Sequence, residues 1–256
     1  ALREHVLTGR GHRFAVPPFQ GGRADLHLSL LEAIPGTPRV APLVRARVAG
    51  ERAGSPNGLT LERALDACGR VAATLHASGI GLGDPRTLDG ELAAVRRGLG
   101  AVERLCPPLG ELLGEHLQRA EAGAAEAEAL PACFAHGDYT PAQVMFQGPV
   151  TGLIDFDTVC QAEPALDLGQ FLAYLRVLVS KAERSRGQVP GGLAAELGEA
   201  FLRVYAQAAD VSDAGVLRRR VGAYETVSLV RMALRSWQQL KVDRLENVLG
   251  VLEGRR

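Results

Sequence analysis

The stretch Phe134–Gly169, FAHGDYTPAQVMFQGPVTGLIDFDTVCQAEPALDLG, constrains this chain more than any other. It concentrates His136, Asp138, Gln143, Asp155, Asp157 and Asp167 between short apolar runs. Two of those runs, Val144-Met145-Phe146 and Thr151-Gly152-Leu153-Ile154, predict a β-hairpin with Gln147-Gly148-Pro149 as its turn. Each polar cluster then sits at a strand end, where a rigid scaffold aims side chains into a cleft. Pro131-Ala132-Cys133-Phe134-Ala135 reads as a further short strand leading into His136.

The rest of the chain reads largely as helix. Leu61–Ser78 places Leu61, Leu65, Cys68, Val71, Ala72, Leu75 and His76 on one face, and Gly79 follows as a C-cap. Helical patterns also cover Arg86–Leu105, Leu109–Glu128, Gln170–Glu183, Gly192–Ala209, Ser212–Trp237 and Asp243–Glu253. Toward the N-terminus, Leu2–Leu7 reads as a helix tail, Arg13–Val16 as a short strand ended by Pro17-Pro18, and Leu26–Leu31 as a firmer strand. Residues 35–60, rich in Pro, Gly and Arg, form a connector with one short element at most and mark the domain boundary. The expected fold class is therefore α+β, mostly helical, divided at residues 1–34 and 35–256.

The 256 residues carry 29 basic and 29 acidic side chains, a balance that offers nothing to nucleic acid or to an anionic membrane surface. Cys68, Cys106, Cys133 and Cys160 are scattered, form no C-x-x-C pair, and read as reduced thiols. Neither a long apolar run nor a signal peptide is visible, so a cytoplasmic location is expected. The chain opens on Ala1 rather than Met, which places the expected coding start upstream.

His136-Gly137-Asp138 followed by Gln143 fits a phosphoryl-transfer loop: the Asp accepts the proton of an attacking hydroxyl, and a carboxamide oxygen five residues on holds magnesium. Asp155, at the end of the next strand, supplies the carboxylate expected of a second metal ligand. Magnesium takes hard oxygen ligands, few from protein and the rest from water and nucleotide phosphates.

The linked motifs HGDYTPAQ, LIDFD and EPALDLG resemble those of the aminoglycoside phosphotransferase and choline kinase-like family. The resemblance extends from about Leu26 to the C-terminus. It implies a protein-kinase-like C-terminal lobe with a small catalytic hairpin, ATP as phosphoryl donor, Mg2+, and a small-molecule hydroxyl substrate: an aminoglycoside, amino alcohol or sugar. Carried over by position, Asp138 is the catalytic base, Gln143 and Asp155 are the metal ligands, and Asp167 braces the loop. His136 orients the loop, Asp157 is placed near substrate or metal, and the backbone of Glu32, Ala33 and Ile34 meets the adenine. Leu28–Ile34 looks like the last strand of the small lobe entering the hinge, and Leu75-His76 like the family's L-H helix ending.

Two features depart from the family. It has Asn where this chain has Gln143. No glycine-rich strand–turn–strand precedes residue 26, and the two lysines, Lys181 and Lys241, both lie downstream of the loop. Most of the ATP-grasping lobe is thus expected to be missing, leaving residues 1–34 as its remnant.

Two other functions compete. One is a catalytically silent kinase-like module that binds without turnover. The other is a haloacid dehalogenase-like phosphatase, with Asp155 of LIDFDTV as nucleophile and Asp157 as acid/base; that fold needs strands alternating with helices after the motif. Structural readings are assigned to three further features. His76 is a core histidine, Gly79-Ile80-Gly81-Leu82-Gly83 is a cap and turn, and Arg218-Arg219-Arg220 is a solvated helix face.

Overall fold

The computed structural model describes residues 6–9, 12–51, 58–148, 150–189 and 191–254. It is a mostly helical α+β protein with small sheets. Strands β1 (Val6–Gly9), β2 (His12–Ala15), β3 (Phe19–Arg23) and β4 (Leu28–Leu31) precede a short β5 (Thr37–Pro38). Val6 and Leu7 thus lie in a strand, not the expected helix tail, because they pair with Ala15 and Phe14 of β2. Leu2–His5 lie outside the described residues.

The expected strand at Leu26–Leu31 is β4, and it pairs only with β3 in a two-stranded ribbon. Phe19, Leu28, Leu30 and Leu31 of that ribbon are exposed. The central hairpin is β8 (Val144–Gln147) with β9 (Val150–Leu153); Pro149 of its predicted turn lies outside the described residues. The hairpin continues one sheet: β2 flanks β9 through the Ala15–Gly152 pair, and β5 flanks β8.

The connector is more ordered than its composition suggests, since α1 (Val40–Val48) buries Val40, Leu43, Val44 and Val48 against the core. A strand was also missed on each side of the loop segment. β6 (Asp84–Arg86) and β10 (Cys160–Ala162) form a three-stranded sheet with β7 (Cys133–Ala135). Three-residue strands leave too little alternation to register as a pattern.

The helices are α2 (Leu61–His76), α3 (Leu88–Leu105), α4 (Pro107–Ala125), α5 (Ala165–Arg184), α6 (Leu193–Ala209), α7 (Ala214–Gln238) and α8 (Val242–Glu253). Their starts follow local chemistry. Thr60 and Thr87 accept hydrogen bonds from Arg63 N and Gly90 N, and Asp213 from Gly215 N and Val216 N. Pro107 opens α4, where its missing N–H costs nothing.

Helix α5 is the axis of the bundle and packs against α1, α6, α7 and α8. Every residue from Ala165 to Ala173 is buried. Two of them, Asp167 and Gln170, are polar and one helical turn apart, so they share the face turned toward the loop after β7.

Arg218-Arg219-Arg220 is not uniformly solvated. Arg218 pairs with Glu199 at the surface, whereas Arg220 is buried against Glu163. After β10 the described residues contain helices only, so the alternating parallel sheet needed by the phosphatase reading is not there.

Candidate active site

Strand β7 carries the chain into His136-Gly137-Asp138, and α5 meets it from below. Asp167 Oδ2 accepts the His136 N–H at 2.7 Å, and Oδ1 accepts the Gly137 N–H at 2.9 Å. Its carboxylate lies in the first turn of α5 but is turned outward to the loop, so it does not cap the helix. His76, at the end of α2, reaches Asp167 Oδ2 through Nε2 at 3.0 Å, and its Nδ1 meets the Tyr205 hydroxyl at 3.0 Å.

Burial pushes the Asp167 carboxyl pKa up. The His76 hydrogen bond, the electrostatic effect of the His76 and His136 rings and the His136 N–H outweigh that, and the pKa falls below the usual carboxylate value.

The His136 ring ties the loop to the hairpin. Its Nε2 lies 2.9 Å from the Ile154 carbonyl, and Asp138 N donates to its Nδ1 at 3.3 Å. Those two partners place the ring proton on Nε2. Gly137 has φ +79°, and a Cβ there would run into the Thr158 carbonyl, which is why the position is glycine. Asp138 follows directly, half-buried between two fixed peptide groups.

Gln143 and Asp155 meet across the mouth of the hairpin. The Gln143 carbonyl accepts from Ile154 N at 3.2 Å, and its side-chain Nε2 donates to Asp155 Oδ2 at 2.8 Å. Asp155 adopts the left-handed conformation, with φ 69° and ψ 61°, which turns the chain sharply at the end of β9. Asp157 sits exposed in the 3-10 turn Phe156–Thr158 that follows.

The donor set fits magnesium. Rotating the Gln143 amide brings Oε1 opposite the Asp155 oxygen at the same spacing. Two oxygens bound side by side to an octahedral Mg2+ at about 2.1 Å lie roughly 3 Å apart. Among the described residues no group of three His, Cys, Asp or Glu forms a metal centre, so a cation here would draw its other ligands from phosphate and water.

The segment 32–34 runs past this hairpin. Glu32 N donates to Pro18 O at 2.9 Å, and its side chain accepts from Gln20 Nε2 at 2.9 Å. The end of the Ile34 side chain occupies the space over Gly152 that a Cβ there would fill. The glycine in β9 therefore lets this segment lie close on the strand that ends at Asp155.

Sequence reasoning missed two residues beneath the loop. Gln170 was readable as the residue one turn after Asp167 on the same face. Arg86, whose Nη1 donates to Gly137 O at 3.2 Å, comes from a strand too short to show in the sequence. Glu91 holds Arg86 through Nε at 2.9 Å and also pairs with Arg231.

Comparison with known proteins agrees with this layout. Residues 11–219 match the model of the phosphotransferase enzyme family, APH. No curated protein matches the chain.

Among solved structures it is similar to a glucosamine kinase (TM-score 0.62, 20% identity, 88% of this chain and 59% of that one). It also resembles a GDP complex of aminoglycoside 2'-phosphotransferase-IIIa (TM-score 0.60, 18% identity, 97% and 77%). A third relative is an ethanolamine kinase of Plasmodium vivax (TM-score 0.59, 12% identity, 93% and 66%). The chain spans less than two thirds of the glucosamine kinase, and at these identities the likeness is one of fold. With the family model covering most of its length and kinase-like folds around it, this chain belongs to the phosphotransferase enzyme family.

Proposed function

We propose that this chain is the catalytic part of a small-molecule kinase that transfers the γ-phosphoryl group of ATP to a hydroxyl in the presence of Mg2+. The observation that carries the reading is the arrangement of Asp138 on a braced loop with the Gln143–Asp155 oxygen pair beside it. Asp138 would accept the hydroxyl proton as the oxygen attacks phosphorus; a P–O bond forms to the acceptor, the bond to the bridging oxygen breaks, and ADP leaves. Gln143 and Asp155 would hold the magnesium, which supplies charge neutralisation on the phosphates. Catalysis is then chiefly positioning, which suits a site whose backbone is fixed from below.

The backbone of Glu32–Ile34 would meet the base of the nucleotide, with residues 1–34 contributing to the nucleotide lobe and hinge and 35–256 forming the catalytic lobe. Similar structures hold ADP with glucosamine and GDP with kanamycin. ATP and GTP as donors, and amino sugars, aminoglycosides and amino alcohols as acceptors, are therefore the ones to try first.

The test is transfer of labelled γ-phosphate from ATP or GTP to that panel, with an acid-stable phosphate ester as the product. Asp138→Asn should abolish transfer while leaving the fold and nucleotide binding intact. Undiminished turnover would refute the assignment of the base. Nucleotide binding with no turnover on any acceptor would favour the silent module.

A further inference from the structure

We propose that Gln170 is a positioning residue for Asp138, acting as a carboxamide clamp across the two peptide groups that flank it. The inference rests on the reading of Asp138 as the base. Gln170 Nε2 donates to the Gly137 carbonyl at 2.9 Å, and its Oε1 accepts from Tyr139 N at 3.1 Å. One planar group thus grips the peptide before Asp138 and the peptide after it. The side chain is 5% exposed, so both bonds lie out of competition with water.

The clamp is itself held in place. Asp167, three residues earlier on α5, takes the N–H groups of His136 and Gly137, so a single helix face fixes four backbone groups between His136 and Tyr139. The ring of Tyr139 stacks on Phe171, the next residue of α5, with centroids 5.6 Å apart. Its hydroxyl donates to Cys68 O of α2 at 2.7 Å. On the other side, Arg86 gives the Gly137 carbonyl a second, charged donor. The loop carbonyl preceding Asp138 therefore has both lone-pair directions occupied. Rotation of that peptide, the motion that would swing the Asp138 carboxylate away from an acceptor hydroxyl, breaks the bonds that Gln170 and Arg86 make to its carbonyl.

The carboxamide matters because the job needs one donor and one acceptor a fixed distance apart. Methionine has similar length and buries as well, but makes neither bond.

The experiment compares Gln170→Met and Gln170→Ala with the unaltered chain. Two measurements are made: steady-state phosphoryl transfer, and backbone amide hydrogen exchange at Asp138 and Tyr139. Both variants should lower kcat by about 10–100-fold with KM for nucleotide within about twofold, since a displaced loop costs rate rather than binding. Exchange at Tyr139 should quicken in both. If Gln170 serves only to fill space, Gln170→Met keeps kcat within about twofold and only the alanine loses it. That result overturns the proposal, as does unchanged Tyr139 exchange in Gln170→Met. Exchange reads the clamp in a chain that transfers nothing, so failure of the kinase reading and failure of the clamp give different patterns.

Discussion

The imidazole Nε2 of His76 and the Oδ2 of Asp167 lie 3.0 Å apart, with side chains 5% and 0% exposed. The pair joins the end of α2 to the start of α5 directly under the His136–Tyr139 loop. Because the folded-state pKa of Asp167 is depressed, its contribution to stability is present above the unfolded carboxylate value near about 3.9 and is lost as pH falls through the lower folded value. His76→Leu removes the hydrogen bond and charge that hold the pKa down and leaves the burial that raises it. Acid unfolding of that variant, followed by far-UV circular dichroism, should begin at a higher pH than in the unaltered chain. At neutral pH it should be about 1–3 kcal/mol less stable, the cost of taking a hydrogen-bond partner from a buried carboxylate.

The proposal that Gln143 and Asp155 hold magnesium makes a prediction at their contact. Gln143→Asn keeps a carboxamide oxygen and should retain magnesium-dependent nucleotide binding, whereas Gln143→Leu should raise the Mg2+ concentration required by about tenfold or more, equivalent to about 1.4 kcal/mol. Asp155→Asn, which keeps an oxygen but loses the charge, should raise the Mg2+ requirement further. Calorimetric titration of nucleotide at graded Mg2+ measures all three. Equal Mg2+ dependence in Gln143→Leu and the unaltered chain would remove Gln143 from the metal site.

The site was legible in the sequence to the extent that it is built locally. HGD, the carboxamide after it and the aspartate ending the hairpin lie on one continuous segment, and the apolar runs between them announce their own strands. What the sequence hid are the side chains that reach the loop from other elements and belong to no motif. Arg86 of β6 reaches Gly137 and is held by Glu91 of α3, which pairs in turn with Arg231 of α7, and no spacing rule connects them. α1 is the one short element allowed in the connector, but its helical character was masked by the two prolines and three arginines that surround or interrupt its core-facing stripe. Arg220 looked like part of a solvated run because its partner, Glu163, lies far back in the chain, in the link between β10 and α5.

That buried ion pair makes a prediction of its own. Glu163 accepts from Arg220 Nε at 2.8 Å, from the Tyr224 hydroxyl at 3.2 Å and from Leu130 N at 3.0 Å, so one carboxylate ties the approach to β7 to helix α7. Glu163→Gln leaves the guanidinium buried beside a neutral amide, and urea denaturation should show a loss of about 3–5 kcal/mol. The surface pair Arg218–Glu199 should give about 0–1 kcal/mol in the same measurement.

Ile34 and Gly152 offer a test of whether segment 32–34 is coupled to the catalytic hairpin. The Ile34 side chain fills the space a Cβ at Gly152 would need, but what the new carbon meets is the end of a flexible side chain, which can swing aside. Gly152→Ala should therefore cost stability modestly, about 1 kcal/mol or less, while displacing Ile34 and the backbone attached to it. Ile34→Ala opens the same space. In its presence Gly152→Ala should cost less, giving a coupling of about 0.5 kcal/mol or more in a double-mutant cycle read by urea denaturation. If 32–34 receives the nucleotide base, Gly152→Ala also weakens nucleotide binding, and Ile34→Ala partly restores it in the double variant. Strict additivity in both stability and binding would separate the segment from the hairpin and remove it from the nucleotide site.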